Sequence, residues 1–500
     1  MGDILNGLAL GFSPIAILAM AAGVIGGIII GGLPGLSASM GVAILTPLSF
    51  GMSPSVSMAL LLGIYVGAVY GGSISAILIR TPGTPAACAT IFDGYPLTQQ
   101  GKAGQALGWA AVGSAFGGLV GLFFLVISAP IIASFALRFS SPEYFGLAIF
   151  GLSIIISISG NNIIKGLLSG SIGLLVATIG MDPMQGITRF TFNSMDLLGG
   201  IPLISALIGL FAVSEALNSV ESVFREGERV KQAIGSVMPR LSEIRTHIVL
   251  MIKSAIIGTF IGALPGAGAD IAAIVSYNEA KRSAKSPERF GKGAIEGVIA
   301  AETGNNAVTG GAMIPLLTLA IPGDAVTAIL LGALMIHGLK PGPMLMASDR
   351  DLVYSFYCSL FQANIMLIIF GYLGLRYFTK VVVITKRTLA PIILILCFIG
   401  AYAVGNNIFD GKLALIFGII GYLVQKVGFP VAPMVLAIIL GPMAEVALRQ
   451  SLIMSQGSWL ILVNRPISAT LLVLAVLSIV ISVRQANRLR LSDKQSGEAG

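Results

Sequence analysis

The sequence is poor in charged residues, histidine and cysteine. Only 10% of its 500 residues are charged, whereas soluble domains carry about 25%, so the composition excludes an ordinary soluble protein of this length. The cysteines, Cys88, Cys358 and Cys397, lie in or beside apolar segments without the spacing of metal ligands, and they predict no disulfide framework. The histidines, His247 and His337, are isolated, and nothing marks either as a metal ligand.

Motifs of two enzyme classes are also missing. The phosphate-binding pattern G-x-x-x-x-G-K-[ST] is absent, so the chain does not hydrolyse ATP by that route, and the zinc pattern H-E-x-x-H is absent as well. The net charge of +8 does not indicate a nucleic-acid partner, because the basic residues lie between apolar segments, as the positive-inside rule expects.

Long apolar segments dominate the chain, of which 55% is hydrophobic. Many reach the roughly 20 residues that cross a bilayer as a helix, and they predict an all-α integral membrane protein with about ten to twelve membrane elements, some of them broken. The N-terminus lacks the basic region of a cleaved signal peptide, so the first segment is expected to be retained. The segments are 7–31, 106–137, 143–159, 201–217, 247–264, 352–378, 388–405, 413–424, 429–443 and 467–483.

Glycine is abundant, with 63 residues, and many glycines recur at helical spacing. Such stripes of small residues predict close packing of membrane helices rather than direct ligand contact. The stripes are Gly23, Gly27 and Gly31; Gly113, Gly117 and Gly121; and Gly258, Gly262 and Gly266.

An internal repeat divides the chain into two halves. The segment GGIIIGGLPGLSAS at 26–39 aligns with IGTFIGALPGAGAD at 257–270, and three further matches follow in the same order. They pair Gly71-Gly72 with Gly310-Gly311, Pro82-Gly83-Thr84 with Pro322-Gly323-Asp324, and Gly160-Asn161-Asn162 with Gly405-Asn406-Asn407. The predicted divisions are a first membrane repeat at 1–218, a polar connector at 219–246, a second repeat at 247–483 and a polar tail at 484–500.

Equivalent loops of the two repeats differ in basic residues. The loop at 50–56 has no lysine or arginine, whereas its counterpart at 279–292 has five. The loop at 138–142 has only Arg138, and its counterpart at 376–387 has four. Because basic loops stay in the cytoplasm, equivalent loops are predicted on opposite membrane faces, which makes the repeat inverted. The basic loops, the connector and the tail would then be cytoplasmic.

Proline and glycine break the apolar segments at corresponding places in both halves. One pair is LPGLSAS at 33–39 and LPGAGAD at 264–270, and the other is RTPGTP at 80–85 and AIPGDA at 320–325. Corresponding breaks in two repeats indicate the central site of a transporter. A helix N-terminus offers N–H donors to a carboxylate, and carbonyl, hydroxyl and carboxylate oxygens suit a sodium ion. The alternative is that the motifs are ordinary turns at the membrane surface.

Several ionisable residues fall within weakly polar segments, where a carboxylate needs a partner or a function. They include Glu296, and the cluster Glu302–Asn306 is the densest polar stretch in apolar surroundings. This cluster either coordinates a cation, hydrogen-bonds a substrate or begins a surface helix. Asp93 and Lys102 are expected in an aqueous loop.

At these motifs the sequence resembles the large membrane subunit of the tripartite tricarboxylate transporters, the TctA family. The resemblance rests on GGLPGLSAS, on ILIRTPGTPAACATIFDGYPLTQQGKAGQALG and on the long segment from RFGKGAIEG to LKPGPML, and it extends over nearly the whole chain. It implies a bacterial inner-membrane protein that works with a small membrane subunit of about four helices and a periplasmic solute-binding protein. It also implies uptake of a tricarboxylate or related organic carboxylate, driven by a sodium or proton gradient and with an elevator-like motion by analogy.

The predicted function is therefore the substrate-translocating subunit of an ion-coupled carboxylate symporter without an organic cofactor. The predicted substrate-binding residues are Pro34, Gly35, Ser37, Ser39, Thr81, Gly83, Thr84, Pro322 and Gly323, and the predicted ion-binding residues, for a coupling sodium, are Asp270, Asn305, Asn306 and Asp324. Two alternatives remain: a membrane-embedded enzyme of the aspartyl intramembrane protease type, using Asp270 and Asp324, and a non-transporting membrane scaffold.

Overall fold

The computed structural model describes residues 2–158, 163–222, 239–374 and 386–497. Within these residues the regular secondary structure is helical apart from one two-stranded hairpin, so the predicted all-α fold class is confirmed. Seven of the described helices are long and apolar enough to cross a membrane, and six shorter ones are also apolar.

The first half begins with a helix that the apolar pattern did not separate from the next. The predicted segment 7–31 divides at Ser13, whose hydroxyl accepts a hydrogen bond from the Ala16 N–H at 3.3 Å, and Pro14 starts the following helix. The elements in chain order are α1 (Gly2–Gly11), α2 (Pro14–Gly32), α3 (Ala38–Leu45), α4 (Pro54–Ile79), α5 (Ile91–Gln99), α6 (Ala103–Ala136), α7 (Ser141–Ile158), α8 (Ile163–Ala177), β1 (Gly180–Met181), β2 (Thr188–Arg189), α9 (Leu203–Leu207) and α10 (Ser214–Ser222). A π-helical segment, Ile208–Val213, joins α9 to α10.

The second half repeats the order of long helix, break and helix. Its elements are α11 (Leu241–Ala263), α12 (Gly268–Ser283), α13 (Ile295–Gly311), α14 (Met313–Leu319), α15 (Ala325–Ile336), α16 (Pro343–Ser348), α17 (Arg350–Leu373), α18 (Lys386–Gly405), α19 (Ile408–Lys426), α20 (Val431–Met454), α21 (Ile461–Asn464) and α22 (Pro466–Gly497). Predictions that concern Gly160–Asn162, 223–238 of the connector, or 376–385 of the basic loop lie outside the described residues.

The first break has the same backbone geometry in both halves. The helix α2 ends at Leu33 with φ −87° and ψ 116°, and α11 ends at Leu264 with φ −84° and ψ 119°. Two residues later, Gly35 and Gly266 adopt φ values of +88° and +77°, which glycine reaches without the steric cost of a Cβ atom.

The second break also matches between the halves. Arg80 ends α4 with φ 56° and ψ 22°, and Ala320 ends α14 with φ 57° and ψ 28°, so both lie in the left-handed region. The aligned sequences therefore form the same local structures, while the inverted orientation of the halves stays a prediction.

Glycine brings α2 and α4 into backbone contact. A Cβ atom on Gly23, Gly27 or Gly31 would lie 2.1–2.5 Å from a carbonyl oxygen of α4. The predicted packing role of this stripe is thereby confirmed, since any side chain there would separate the helices. In the second half, Gly258 approaches the backbone of Gly304 in the same way, because a Cβ there would lie 2.0 Å from the Gly304 oxygen.

A four-residue ion network holds the β-hairpin against α20. Arg189 donates to Glu445 at 2.6 Å, and Arg449 donates to Asp182 at 2.7 Å. Two backbone N–H groups of the hairpin turn, together with Arg449, lower the pKa of Asp182 from its usual range to about 2. The hairpin is therefore fixed to the helix that also lines the cavity described next.

Candidate functional site

A cavity of about 260 Å³ lies where the helix breaks of the two halves meet. The helix α3, after the first break of the first half, packs against α15, after the second break of the second half. In the same way, α12 packs against the turn Pro85–Ala87 of the first half. Each half's first break thus contacts the other half's second break. This break cavity is lined by Ser37, Ala38, Ser39, Tyr65, Val69, Thr84, Pro85, Ala86, Phe211, Gly266, Gly268, Ala269, Asp270, Asp324, Ala325, Val326, Ala328, Ala432, Val435 and Leu436.

The first half contributes hydroxyl groups at the start of α3. Ser37 is the N-cap residue, and its Oγ accepts a hydrogen bond from the Met40 N–H at 3.1 Å. The Ser39 hydroxyl lies 2.9 Å from Ser37 Oγ. The break before α3 therefore places two hydroxyls and the positive end of a helix at the cavity wall.

Thr84 adds a third hydroxyl from the second break of the first half. Its side chain is only 2% exposed, and its Oγ1 has no hydrogen-bond partner among the described residues. A buried hydroxyl without a partner is rare in folded proteins. Because Thr84 also lines the cavity, its hydroxyl is a candidate partner for a ligand.

Asp324 places a carboxylate at the equivalent position of the second half. It is the N-cap of α15, and its Oδ1 accepts from the Thr327 N–H and the Thr327 hydroxyl, both at 2.8 Å. Its Oδ2 accepts from the hydroxyl of Tyr65, on α4 of the first half, at 2.5 Å. The side chain is 8% exposed, so the carboxylate is held rigidly by both halves.

Asp270 is a second carboxylate in the same wall. It lies in the first turn of α12, after Gly268, which adopts a φ of +69°. The break before α12 is tied to the other break of its half by a hydrogen bond from the Gly266 N–H to the Gly323 oxygen at 2.6 Å. The second half therefore makes the acidic side of the cavity.

The other residues predicted for substrate binding do not line the cavity. Pro34, Gly35, Pro322 and Gly323 form the bends that place the lining residues, and Gly83 is buried against the Gly31 backbone. Thr81 is exposed, and its hydroxyl donates to the Ile79 oxygen at 3.3 Å.

Asn305 and Asn306 lie behind the cavity, inside α13, where both are fully buried. The Asn305 side-chain amide donates to the oxygen of Ala86 at 3.0 Å, and Ala86 lines the cavity. Asn306 donates to Asn305 Oδ1 at 2.8 Å. The Glu302–Asn306 cluster is therefore a buried stretch in the middle of α13, which excludes the surface helix start.

Asp93 does not lie in an aqueous loop, so that expectation was wrong. Its side chain is fully buried and accepts from the hydroxyl of Tyr277 at 2.9 Å and from the backbone N–H groups of Gly291, Gly293 and Ala294, each at 2.8 Å. A carboxylate with four donors is fully satisfied without water. It joins α5 to the segment before α13, whereas Lys102 is exposed as expected.

Each histidine contacts another side chain of the protein. His247 packs edge-on against Trp109, and His337 Nε2 lies 2.8 Å from the Ser57 hydroxyl. In the part of the chain that the structure describes, no three His, Cys, Asp or Glu side chains come together as a metal site.

Sequence reasoning missed Tyr65, Phe211 and the α20 residues of the lining. Tyr65 belongs to a 26-residue apolar helix, and its hydroxyl is the only local sign that it meets a polar partner. Phe211 and Val435 are apolar residues in apolar segments, so only the fold places them at the cavity.

Comparison with known proteins decides the family. The family model described as Tripartite tricarboxylate transporter TctA family matches residues 17–436. The chain belongs to the TctA family. This TctA-family chain is 38% identical over 487 residues to an uncharacterized 52.8 kDa protein in the TAR-I ttuC' 3' region of Agrobacterium vitis, with 97% of each chain covered. It is also 38% identical over 226 residues to an uncharacterized protein in the TAR-II ttuC' 3' region of the same organism, covering 45% of this chain and 93% of the relative.

Membership in this family confirms the resemblance predicted from the sequence motifs. The TctA-family chain is a multi-pass membrane protein and a subunit of a tripartite tricarboxylate transporter, so other subunits complete the system. Membership in a transporter family also favours transport over the enzyme alternative.

Proposed function

We propose that this chain is the substrate-translocating subunit of a secondary transporter for tricarboxylates or related organic carboxylates. A periplasmic solute-binding protein delivers the substrate, a small membrane subunit of about four helices completes the complex, and a sodium or proton gradient drives uptake across the bacterial inner membrane. The break cavity is the substrate site in this proposal. Alternating access follows from the exchange of conformations between two related, inverted halves.

The observation that carries the proposal is the division of the break cavity into two chemically different sides. The first half supplies Ser37, Ser39 and Thr84, which are neutral hydroxyls beside the N-terminus of α3. The second half supplies the carboxylates Asp270 and Asp324. Hydroxyls and helix N–H groups suit a substrate carboxylate, and the carboxylates suit a cation.

The size of the cavity fits a small substrate. Its volume of about 260 Å³ is below the roughly 300–1,000 Å³ of sites for drug-sized ligands. Most of its lining is apolar, with a few convergent polar groups, as is usual for sites that bind small molecules.

Charge balance supports ion coupling in this proposal. Two unit charges 4 Å apart interact by about 4 kcal/mol at an effective dielectric constant of about 20, so an anionic substrate beside Asp270 and Asp324 is repelled unless cations enter with it. Moving one charge across the membrane is worth about 2.3 kcal/mol per 100 mV. Co-transported cations offset both the repulsion in the cavity and the work of moving charge across the membrane.

The residues present fit a sodium ion. Asp270 and Asp324 offer carboxylate oxygens on the acidic side of the cavity. Oxygen donors of this type are those that hard cations take. A bound cation would supply positive charge beside the substrate, while Tyr65 and Thr327 keep the Asp324 carboxylate in place.

The test is uptake of radiolabelled citrate and related carboxylates into proteoliposomes that hold the chain, its small partner and a binding protein, with inward sodium or proton gradients. We expect gradient-dependent accumulation by the unaltered chain and a loss of about 100-fold or more in Asp324→Asn. Asparagine caps a helix as well as aspartate does, so this variant keeps the N-cap and removes the charge.

Asp349→Asn is the matched control, because Asp349 precedes α17 without a side-chain capping bond and does not line the cavity. It should transport normally. Normal uptake by Asp324→Asn would remove Asp324 from the site. No accumulation under either gradient by a correctly folded complex would favour the scaffold or enzyme interpretation.

A further inference from the structure

Glu302 is a buried carboxylate outside the break cavity. It lies in the middle of α13, and none of its surface is exposed. It accepts hydrogen bonds from the hydroxyls of Thr90 and of Ser114, the latter at 3.1 Å. It does not line the break cavity, so the substrate site described above leaves its charge unexplained.

No basic side chain balances this carboxylate within the described ranges. The ion pairs found there do not include Glu302, and α6, which supplies Ser114, contains no charged residue. Two neutral hydroxyls and the neutral Asn305 amide stabilise the carboxylate but carry no compensating charge. A buried carboxylate therefore needs either a proton or a bound cation.

Other oxygens nearby are also without partners. Asn306 lies one helical turn beyond Glu302, and its Oδ1 is buried and has no donor among the described residues.

A second unpartnered oxygen comes from α17. Asn364 Oδ1 occupies the space that a Cβ atom on Gly118 would need, and Gly118 lies one turn beyond Ser114, which donates to Glu302. Three helices, α6, α13 and α17, thus bring a carboxylate and two unsatisfied amide oxygens into one buried layer.

The unsatisfied oxygens favour a bound cation over a proton on Glu302. A proton on Glu302 neutralises the carboxylate but donates to only one acceptor, which leaves the remaining amide oxygens unsatisfied. An alkali cation neutralises the charge and is ligated by several carboxylate, amide and hydroxyl oxygens together. The oxygen-only composition of the layer is the donor set of a hard cation.

We propose that Glu302, with Asn306 and Asn364, forms a second cation site that takes Na⁺, in the protein core behind the break cavity. Asn306 donates to Asn305 Oδ1, and Asn305 donates to the oxygen of Ala86 in the cavity wall. Occupation of this core site is thereby linked to the position of the second break. Its role in coupling rests on the proposed function, whereas ion binding itself does not.

The test is equilibrium binding of ²²Na⁺ to the purified full chain in detergent, without substrate, in a potassium background. We expect Glu302→Gln to weaken one class of Na⁺ site by about tenfold or more, because a hydrogen-bonded charged ligand is lost. Glu288→Gln, at an exposed position, should bind like the unaltered chain. Asp324→Asn should keep the core site, which separates it from the break cavity.

A second variant covers the case in which Glu302→Gln fails to fold. Asn306→Ala keeps the carboxylate and removes one unsatisfied oxygen, so its Na⁺ affinity should fall while the protein remains monodisperse. Unaltered ²²Na⁺ binding in either folded variant overturns the core site. Failure of the proposed function would instead appear as absent carboxylate uptake by proteoliposomes with normal Na⁺ binding.

Discussion

At the second break of each half, a residue in the left-handed conformation is followed four positions later by Thr84 in the first half and by Asp324 in the second. The backbones match, since Arg80 and Ala320 differ by 1° in φ. The continuations differ, because Thr84 precedes a three-residue turn and Asp324 caps the 12-residue helix α15. The Asp324 carboxylate is held by three donors, whereas the Thr84 hydroxyl has no partner among the described residues.

The first break shows the same contrast. Ser37 caps α3 through its hydroxyl, whereas Ala267, at the start of α12, has no side-chain cap and Asp270 follows in the first turn. The two halves therefore share the backbone conformation at which each helix is broken, but they differ in the charge that their side chains place at the cavity. Under the proposed function, a carboxylate substrate and its cation need opposite environments, which two halves with different side chains would supply within one space.

The largest expected effect comes from substitutions that test the backbone geometry shared by the two second breaks. A Cβ atom on Gly83 would lie 1.9 Å from the Gly31 oxygen, and one on Gly323 would lie 2.5 Å from the Gly262 oxygen. Both contacts are with backbone, which cannot turn aside, so Gly83→Ala should destabilise the protein by more than about 4 kcal/mol. Gly323→Ala should be destabilising but milder. Fluorescence-detected size-exclusion chromatography and thermal melting in detergent measure both.

Gly26→Ala is the control for this pair, because a Cβ there meets nothing within 4 Å. It should leave the melting temperature unchanged or raise it slightly, since alanine favours a helix by about 1 kcal/mol over glycine. Equal tolerance of alanine at all three positions would contradict the close approach at the second breaks.

The next prediction concerns a variant that removes the difference in charge between the two sides of the cavity. Thr84→Asp places a carboxylate on the hydroxyl side of the cavity, where repulsion of an anionic substrate should raise the KM for carboxylate uptake by about tenfold or more. Thr84→Asn has a side chain of similar size to aspartate without the charge, and its KM should change much less. Concentration-dependent uptake into proteoliposomes measures both, and equal KM values for the two variants would reject the assignment of the substrate to this side.

The sequence predicted the breaks well because proline and glycine act locally. Pro34-Gly35 and Pro322-Gly323 break helices through missing donors and absent side chains, which can be recognised without knowledge of the fold. The membrane character followed from composition for the same reason. Of the predicted site, Ser37, Ser39, Thr84, Asp270 and Asp324 lie together in the cavity lining.

The remaining features depend on contacts between distant segments. The Tyr65 hydroxyl bonds to Asp324 across 259 positions of the chain, and Asp93 meets its donors about 200 positions away. Asp93 sits in a segment rich in polar residues, which favoured an aqueous loop, whereas tertiary packing buries it. The residues predicted to bind an ion do not all lie in the cavity lining for a similar reason. Asn305 and Asn306 lie behind the cavity wall, where Asn305 donates to the Ala86 oxygen and Asn306 donates to Asn305.

The smallest expected effect concerns the left-handed residues that end α4 and α14. A non-glycine residue in this region is strained by roughly 1–2 kcal/mol. Glycine removes that strain, but it loses more chain entropy on folding, which costs about 0.5–1 kcal/mol. Ala320→Gly should therefore stabilise the protein by up to about 1 kcal/mol, a rise of about 1–2 °C in melting temperature. Arg80→Gly should gain less, because Arg80 lies 5.9 Å from the centre of the Tyr95 ring and loses that contact. Ala19→Gly, inside α2, should lower the melting temperature, and a similar fall in Ala320→Gly would show that the second break does not hold this residue in the left-handed region in solution.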